Sequence, residues 1–179
     1  MLVGMPAWED ADEAEQLRRA RALASPLRMR ILRLCLHEPR TNKELADELG
    51  VNPGTLLHHI RTLVDTGFLS AEAPRRGARG AREVPYLATR RSWNSGGDDI
   101  SGTLIETFLQ EIEGLPPERL HIVRLGVKLN AASRAALLER FQQLFEEVKD
   151  RPADPDGEPL SLLFVEHPEL PRSQRTSPR

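Results

Sequence analysis

The sequence predicts a mostly helical α+β protein, and three observations support this prediction. Apolar residues recur at helical spacing through much of the chain, short strand-like segments interrupt this pattern, and a polar Gly-rich stretch at 94–99 separates two halves. Of the 179 residues, 39% are hydrophobic but only 4% are aromatic. We therefore expect one large or two small domains with a core built mainly from Leu, Ile, Val and Ala.

Two helices are predicted before residue 40. The first spans residues 13–24 and places Leu17, Ala20 and Ala24 on one face. Ser25 can cap the second helix, and Pro26 fits its first turn. This second helix is predicted for residues 26–37, with its apolar positions at Leu27, Ile31, Leu34 and Cys35.

Two further helices are predicted to flank a tight turn. Thr41 and Glu44 have the spacing of a capping box, which starts a helix over residues 41–49. Gly50 ends this helix, and Asn52 caps the next one, which continues to about residue 66. The inward positions of this last helix are Leu56, Ile60, Leu63 and Val64. Helix, short turn and helix in this order are typical of a helix-turn-helix.

A β-hairpin is predicted directly after the second helix of this motif. Residues 68–72 and 83–89 have strand character, and a Gly- and Arg-rich turn at 74–82 joins them. A hairpin in this position is a wing, so residues 13–95 are predicted to form a winged helix-turn-helix domain.

The second half of the chain is predicted to be a small α-β-α-β segment. Its helices are expected at 100–114 and 130–149, and its strands at 120–129 and 160–166. The predicted organisation is a flexible arm at 1–12, the winged domain at 13–95, a dimerisation domain or possible effector domain at 96–167, and a disordered tail at 168–179.

The charge distribution fits either a nucleic-acid-binding first half or ordinary charge scatter. Residues 13–95 carry a net charge of +6, and residues 96–179 carry −5. A single cysteine, no long apolar stretch and no apolar leader at the start make a cytoplasmic, non-membrane protein the expectation. No spacing typical of a catalytic, metal or cofactor site is present, so we expect neither an enzyme nor a metal or cofactor protein.

The outward side of the helix at 53–66 is the candidate DNA-reading surface, because the inward apolar stripe fixes which residues project away. Arg61 can grip a phosphate or read a guanine, and His58 can donate to either. Thr41 and Asn52 either contact phosphates or act only as helix caps. The other residues expected in this surface are Gly54, Thr55 and Leu57.

The turn of the hairpin is the second candidate DNA contact. Long cationic side chains on a Gly-rich loop suit phosphates or the minor groove, and the alternative is a loop kept charged for solubility. The arginines concerned are Arg75, Arg76, Arg79 and Arg82.

Residues 22–89 resemble the ArsR-type winged-helix transcriptional regulators. The resemblance is carried by the segments ASPLR at 24–28, TNKELADELG at 41–50, VNPGTL at 51–56 and HHIR at 58–61, followed by Gly67-Phe68-Leu69. Metal-sensing members have cysteines in the first helix of the motif. Residues 44–48 contain none here, so the resemblance is to the subgroup that lacks the metal-binding cysteines.

This resemblance implies a homodimer that binds paired half-sites in double-stranded DNA, most often as a repressor. It also implies an interface through residues 13–24, and residues 100–114 are a second candidate for the interface. Whether the second half is a fixed dimerisation module or responds to a small-molecule effector stays open. The alternative function is a protein-interaction adaptor that keeps the winged fold without reading DNA.

Overall fold

The computed structural model describes residues 7–77, 80–94 and 100–169. Its helices are α1 (Ala7–Leu23), α2 (Pro26–Leu34), α3 (Asn42–Leu49), α4 (Pro53–Asp65), α5 (Ser101–Ile112) and α6 (Ala131–Asp150). Its strands are β1 (Arg40–Thr41), β2 (Leu69–Ala71), β3 (Arg75–Arg76), β4 (Arg82–Glu83) and β5 (Pro85–Ala88). The predicted class, mostly helical with a small antiparallel wing, is confirmed.

Local chemistry explains where the helices of the predicted motif begin and end. Pro26 and Pro53 occupy first-turn positions, where a missing N–H costs little. Gly50 ends α3 with a φ of 64°, a left-handed conformation that glycine adopts without steric cost. Ser25 stands at the N-cap of α2, but its side chain makes no capping hydrogen bond, so that expectation was wrong.

Thr41 begins α3 through a capping box, as the spacing predicts. The backbone N–H of Glu44 donates to Thr41 Oγ1 at 3.2 Å, and the Thr41 N–H donates to the Glu44 carboxylate at 2.7 Å. Both bonds satisfy donors that a helix N-terminus would otherwise leave unpaired. Thr41 is 2% exposed, so these bonds lie at the edge of the core.

We expect Thr41→Ala to lower the free energy of unfolding by about 1 kcal/mol, within a range of roughly 0.5–2 kcal/mol. Urea denaturation followed by circular dichroism measures the change. Thr41→Ser is the matched control, because it keeps the hydroxyl that accepts from Glu44. Equal stability of the two variants would show that the capping bond contributes nothing.

The wing is built from two small sheets. In the first, β5 pairs antiparallel with β1 on one side and β2 on the other, in the register Arg40↔Tyr86 and Ser70↔Leu87. In the second, β3 pairs with β4. The single predicted hairpin is therefore divided, and its third strand comes from residues 40–41, which the sequence does not identify as strand. Two residues are too short a segment to show alternation.

The core of the first compact unit, residues 1–124, joins these helices to the base of the wing. Its members are Ala22, Leu23, Ile31, Leu32, Cys35, Leu45, Ala46, Leu56, Ile60, Leu63, Phe68, Leu69 and Ile100. Helix α5 packs against α2 inside this unit, although the sequence predicts a domain boundary at 95–96. Helix α1 begins at Ala7, within the predicted arm, because residues 7–12 contain neither Gly nor Pro to interrupt it.

The second unit, residues 125–179, contains α6 and two extended segments at 125–130 and 158–169. The helix begins at Asn130, whose side chain accepts from the Ser133 N–H at 2.8 Å. The strands predicted at 120–129 and 160–166 are not formed among the described residues, so those two assignments were wrong. A strand needs a hydrogen-bonded neighbour, and the described part of the chain supplies none beside residues 125–129. No helix in the described ranges is both long and apolar enough to cross a membrane.

Candidate nucleic-acid interface

Helix α4 has one buried side and one exposed side. Leu56, Ile60 and Leu63 are completely buried in the core. His58 and Arg61 are exposed, because their positions on a 3.6-residue helix are nearly opposite the buried stripe. A cationic side chain and an imidazole therefore project together from the second helix of the motif.

The start of α4 is exposed and organised by hydrogen bonds. Asn52 Oδ1 accepts from the Gly54 N–H at 2.8 Å, so this side chain caps the helix. Asn42 Nδ2 donates to the Pro53 carbonyl at 3.1 Å and links the starts of α3 and α4. Gly54 and Thr55 are exposed beside the cap. A helix N-terminus with exposed small residues lets a phosphate approach the backbone closely.

Two predicted contact residues are less accessible than the sequence indicates. Thr41 is buried, and its hydroxyl is used in the capping box of α3. Leu57 is half-buried at the margin of the exposed side of α4. The exposed polar side chains among the predicted α4 residues are therefore Thr55, His58 and Arg61.

The wing brings two arginines directly opposite each other. Arg76 on β3 pairs in register with Arg82 on β4, and both are exposed. Like charges on opposing strand positions repel, so the pair costs free energy unless an anion lies close to it. Phosphate oxygens are such anions. Arg79 lies outside the described residues.

Arg75 is engaged within its own domain. Its guanidinium donates to Glu44 Oε1 at 2.7 Å, while the other carboxylate oxygen accepts from the Thr41 N–H. That backbone bond lowers the pKa of Glu44, and the Thr41 hydroxyl and Arg75 lower it further. The stabilisation is therefore present at neutral pH and is lost as the pH falls through the acidic range. Arg75 thus connects β3 of the wing to the start of α3.

The sequence does not reveal the ion pair between Arg75 and Glu44, and it does not reveal the contacts of Arg28 either. The Arg28 guanidinium donates to the carbonyls of Ala22 and Arg21 at the end of α1 and lies 3.5 Å from His59 Nδ1 on α4. Burial lowers the pKa of His59, and the neighbouring Arg28 and His58 side chains lower it further. The His59 imidazole is therefore neutral at neutral pH. An arginine after a Ser-Pro helix start is too common a pattern to indicate these contacts.

Cys35 is fully buried, and burial raises the pKa of its thiol to about 12. A thiol that stays protonated is a poor nucleophile and a poor redox sensor. No group of three or more His, Cys, Asp or Glu residues in the described ranges could hold a metal ion.

A family model described as a helix-turn-helix domain matches residues 23–70. Those residues run from the end of α1 through α2, α3 and α4 into β2. No curated protein matches the chain.

Three solved structures are similar to this chain over about two thirds of its length. NolR from Sinorhizobium fredii is 21% identical over 63% of this chain and 98% of that one, with a TM-score of 0.41. Reduced HlyU from Vibrio cholerae is 17% identical over 62% and 100%, with a TM-score of 0.37. The homodimeric winged helix-turn-helix DNA-binding domain of Mb0332 from Mycobacterium bovis is 22% identical over 68% and 100%, with a TM-score of 0.40. The family model therefore matches the helix-turn-helix part of the chain, and the antiparallel strands β2 and β5 follow that part in the structure.

Proposed function

We propose that the protein is a sequence-specific transcriptional regulator that binds double-stranded DNA in the cytoplasm as a homodimeric repressor of the ArsR type. The observation that carries this proposal is the exposed pair His58 and Arg61 on the side of α4 opposite its buried stripe. In a helix-turn-helix that reads DNA, this side of the second helix enters the major groove. The Arg76–Arg82 pair would then meet backbone phosphates beside the groove.

Apolar surface on α1 and α5 supports pairing of two copies through the first unit. Leu17 on α1 is 51% exposed, and Leu109 on α5 is 57% exposed. Both helices pack on α2 with their other sides, so they are held in place by the core. A two-fold dimer would present two copies of α4 to half-sites about one helical turn apart, roughly 10–10.5 base pairs.

Selection of randomised duplex DNA by the full chain, followed by sequencing at moderate and high salt, tests the function. We expect an enriched inverted repeat whose half-site spacing is about one helical turn. Weak binding that disappears with salt and enriches no motif would overturn the proposal.

The second candidate function is a protein-interaction adaptor, and one observation favours it. Arg75, which the sequence places in the DNA contact, is paired with Glu44 inside the domain. If the protein is a DNA-binding regulator, the described wing residues that contact DNA must therefore be Arg76 and Arg82. The absence of an enriched motif in the selection experiment would favour the adaptor.

Removing both opposed wing arginines should weaken binding to any duplex. Each phosphate contact contributes about 0.9 to the slope of log affinity against log salt, so Arg76→Ala with Arg82→Ala should reduce the slope of a dimer by roughly 3–4. Fluorescence anisotropy over a salt series measures it. The same change should leave stability unaltered or slightly raised, since it relieves a like-charge pair.

Arg140→Ala with Arg151→Ala is the matched control, because it removes two positive charges from exposed positions in the second unit. A wing variant with the salt slope of this control would show that Arg76 and Arg82 do not contact phosphate.

A further inference from the structure

The second unit leaves much of its apolar surface uncovered. Eleven large hydrophobic residues of its described part are at least one-third exposed: Leu125, Val127, Leu129, Leu137, Leu144, Phe145, Val148, Leu160, Leu162, Phe164 and Val165. Exposed apolar residues concentrated in one small unit indicate an interaction surface.

The extended segment at 125–129 has the pattern of a half-buried strand without a partner. Leu125, Val127 and Leu129 alternate with Gly126 and Lys128, and all five residues are exposed. Alternation of this kind places every apolar side chain on one face of a strand. The segment therefore has an apolar face and an unpaired backbone.

The extended segment at 158–169 lies along α6 and forms one wall of an apolar groove. The ring of Phe164 stacks on Phe141, with 3.9 Å between centroids, and Arg134 forms an ion pair with Glu166 at the other end of the contact. The groove encloses about 380 Å³ and is lined by Leu138, Phe141, Gln142, Phe145, Leu162, Leu163 and Phe164.

We propose that a second copy of this chain occupies this groove, with residues 125–129 of each copy pairing as a strand with residues 160–165 of the other. This inference rests on the proposed homodimer and assigns to that homodimer an interface in the second unit. The apolar face of one segment would cover the groove of the second copy, and the polar face would point to solvent. Each dimer would contain two such strand pairings, related by a two-fold axis, so the assembly closes with two copies.

The charges of the two segments fit this occupant. Residues 124–129 carry only positive charge, from Arg124 and Lys128, whereas residues 154–169 carry only negative charge. Pairing unlike segments is therefore attractive, while pairing two copies of the same segment would bring like charges together.

Cross-linking of single cysteines in the full chain tests the proposal. Val127→Cys and Leu162→Cys are made in separate chains, one of which carries a mass tag, and the chains are mixed with a short bis-maleimide. Both positions are 59% exposed, so neither change disturbs the core. The native Cys35 is buried and does not react. Adjacent strands lie about 4.8 Å apart, so paired positions fall within reach of the reagent.

The expected result is a cross-linked product that joins one Val127→Cys chain to one Leu162→Cys chain. We expect its yield to be several-fold higher than the yield of the corresponding product from a mixture of Arg140→Cys with Leu162→Cys. Arg140 is an exposed α6 residue that is not part of the groove lining, so that pair is the matched control. Equal yields from the two mixtures would overturn the proposal. A double variant with both Val127→Cys and Leu162→Cys gives a second test. If at high dilution its two cysteines cross-link only within one chain, the proposal is overturned, because the two segments then pair internally.

The DNA selection separates this inference from the proposed function. An enriched inverted repeat together with a negative cross-linking result would retain the regulator and remove the C-terminal interface. Cross-linking without any enriched motif would retain the interface and favour the adaptor.

Discussion

Replacing Arg61 with alanine should lower the affinity for the selected inverted repeat by roughly 30-fold to 20,000-fold. The guanidinium is exposed on the outer side of α4, and a bidentate contact to a guanine is worth about 1–3 kcal/mol. A dimer loses the contact at both half-sites, so the expected loss is roughly 2–6 kcal/mol. Titration of the selected duplex at a fixed salt concentration measures it, and unfolding in urea should be unchanged.

Arg61→Lys distinguishes the two roles that are open to this side chain. Lysine keeps the positive charge but lacks the planar fork that binds two acceptors of a guanine. If Arg61 reads a base, Arg61→Lys should relax the selected motif at one position of each half-site. If Arg61 grips a phosphate, Arg61→Lys should restore most of the affinity with the motif intact. Wild-type affinity in Arg61→Ala itself would remove Arg61 from the interface.

Replacing Phe68 with alanine should lower the free energy of unfolding by about 3–5 kcal/mol. Phe68 is 2% exposed and packs in the core where α4 leads into the wing. Its backbone N–H donates to the Leu63 carbonyl at 2.8 Å, and its carbonyl accepts from the Thr89 N–H at 3.0 Å. A small domain is stable by only about 5–15 kcal/mol, so this one change removes a large share. The midpoint of urea unfolding reports the loss.

Leu115→Ala provides the control for Phe68→Ala, because Leu115 is 46% exposed and its truncation should change stability by less than about 0.5 kcal/mol. The DNA motif selected by the folded fraction of Phe68→Ala should equal that of the wild type, since Phe68 lies in the core. A changed motif in a stable Phe68→Ala protein would place this ring in the interface and contradict the structure.

The helix-turn-helix is predictable because its determinants are local. Each determinant acts within one helical turn, so spacing alone indicates it. These determinants are proline at the first turn, the Thr41–Glu44 capping box and Gly50. The outward placement of His58 and Arg61 follows in the same way from the inward stripe of α4. These features required no knowledge of how the elements pack.

The wing and the second unit are less predictable because they depend on partners far away in sequence. Strand β1 exists only because β5 lies beside Arg40 and Thr41. Residues 125–129 have the alternation of a strand, yet the described chain provides no neighbour for them. Alternation indicates that a face is to be buried, but it does not identify what buries it.

The sequence by itself determined the helix-turn-helix, the hairpin that follows it, the start of each motif helix and the side of α4 that carries Arg61. Only the tertiary structure decided that Arg75 pairs with Glu44, that Arg76 stands opposite Arg82, that Thr41 is buried and that α5 packs on α2. Helix caps and stripes depend on residues three or four positions apart, which can be read along the chain. Ion pairs such as Arg75–Glu44 and strand registers join residues that only folding brings together.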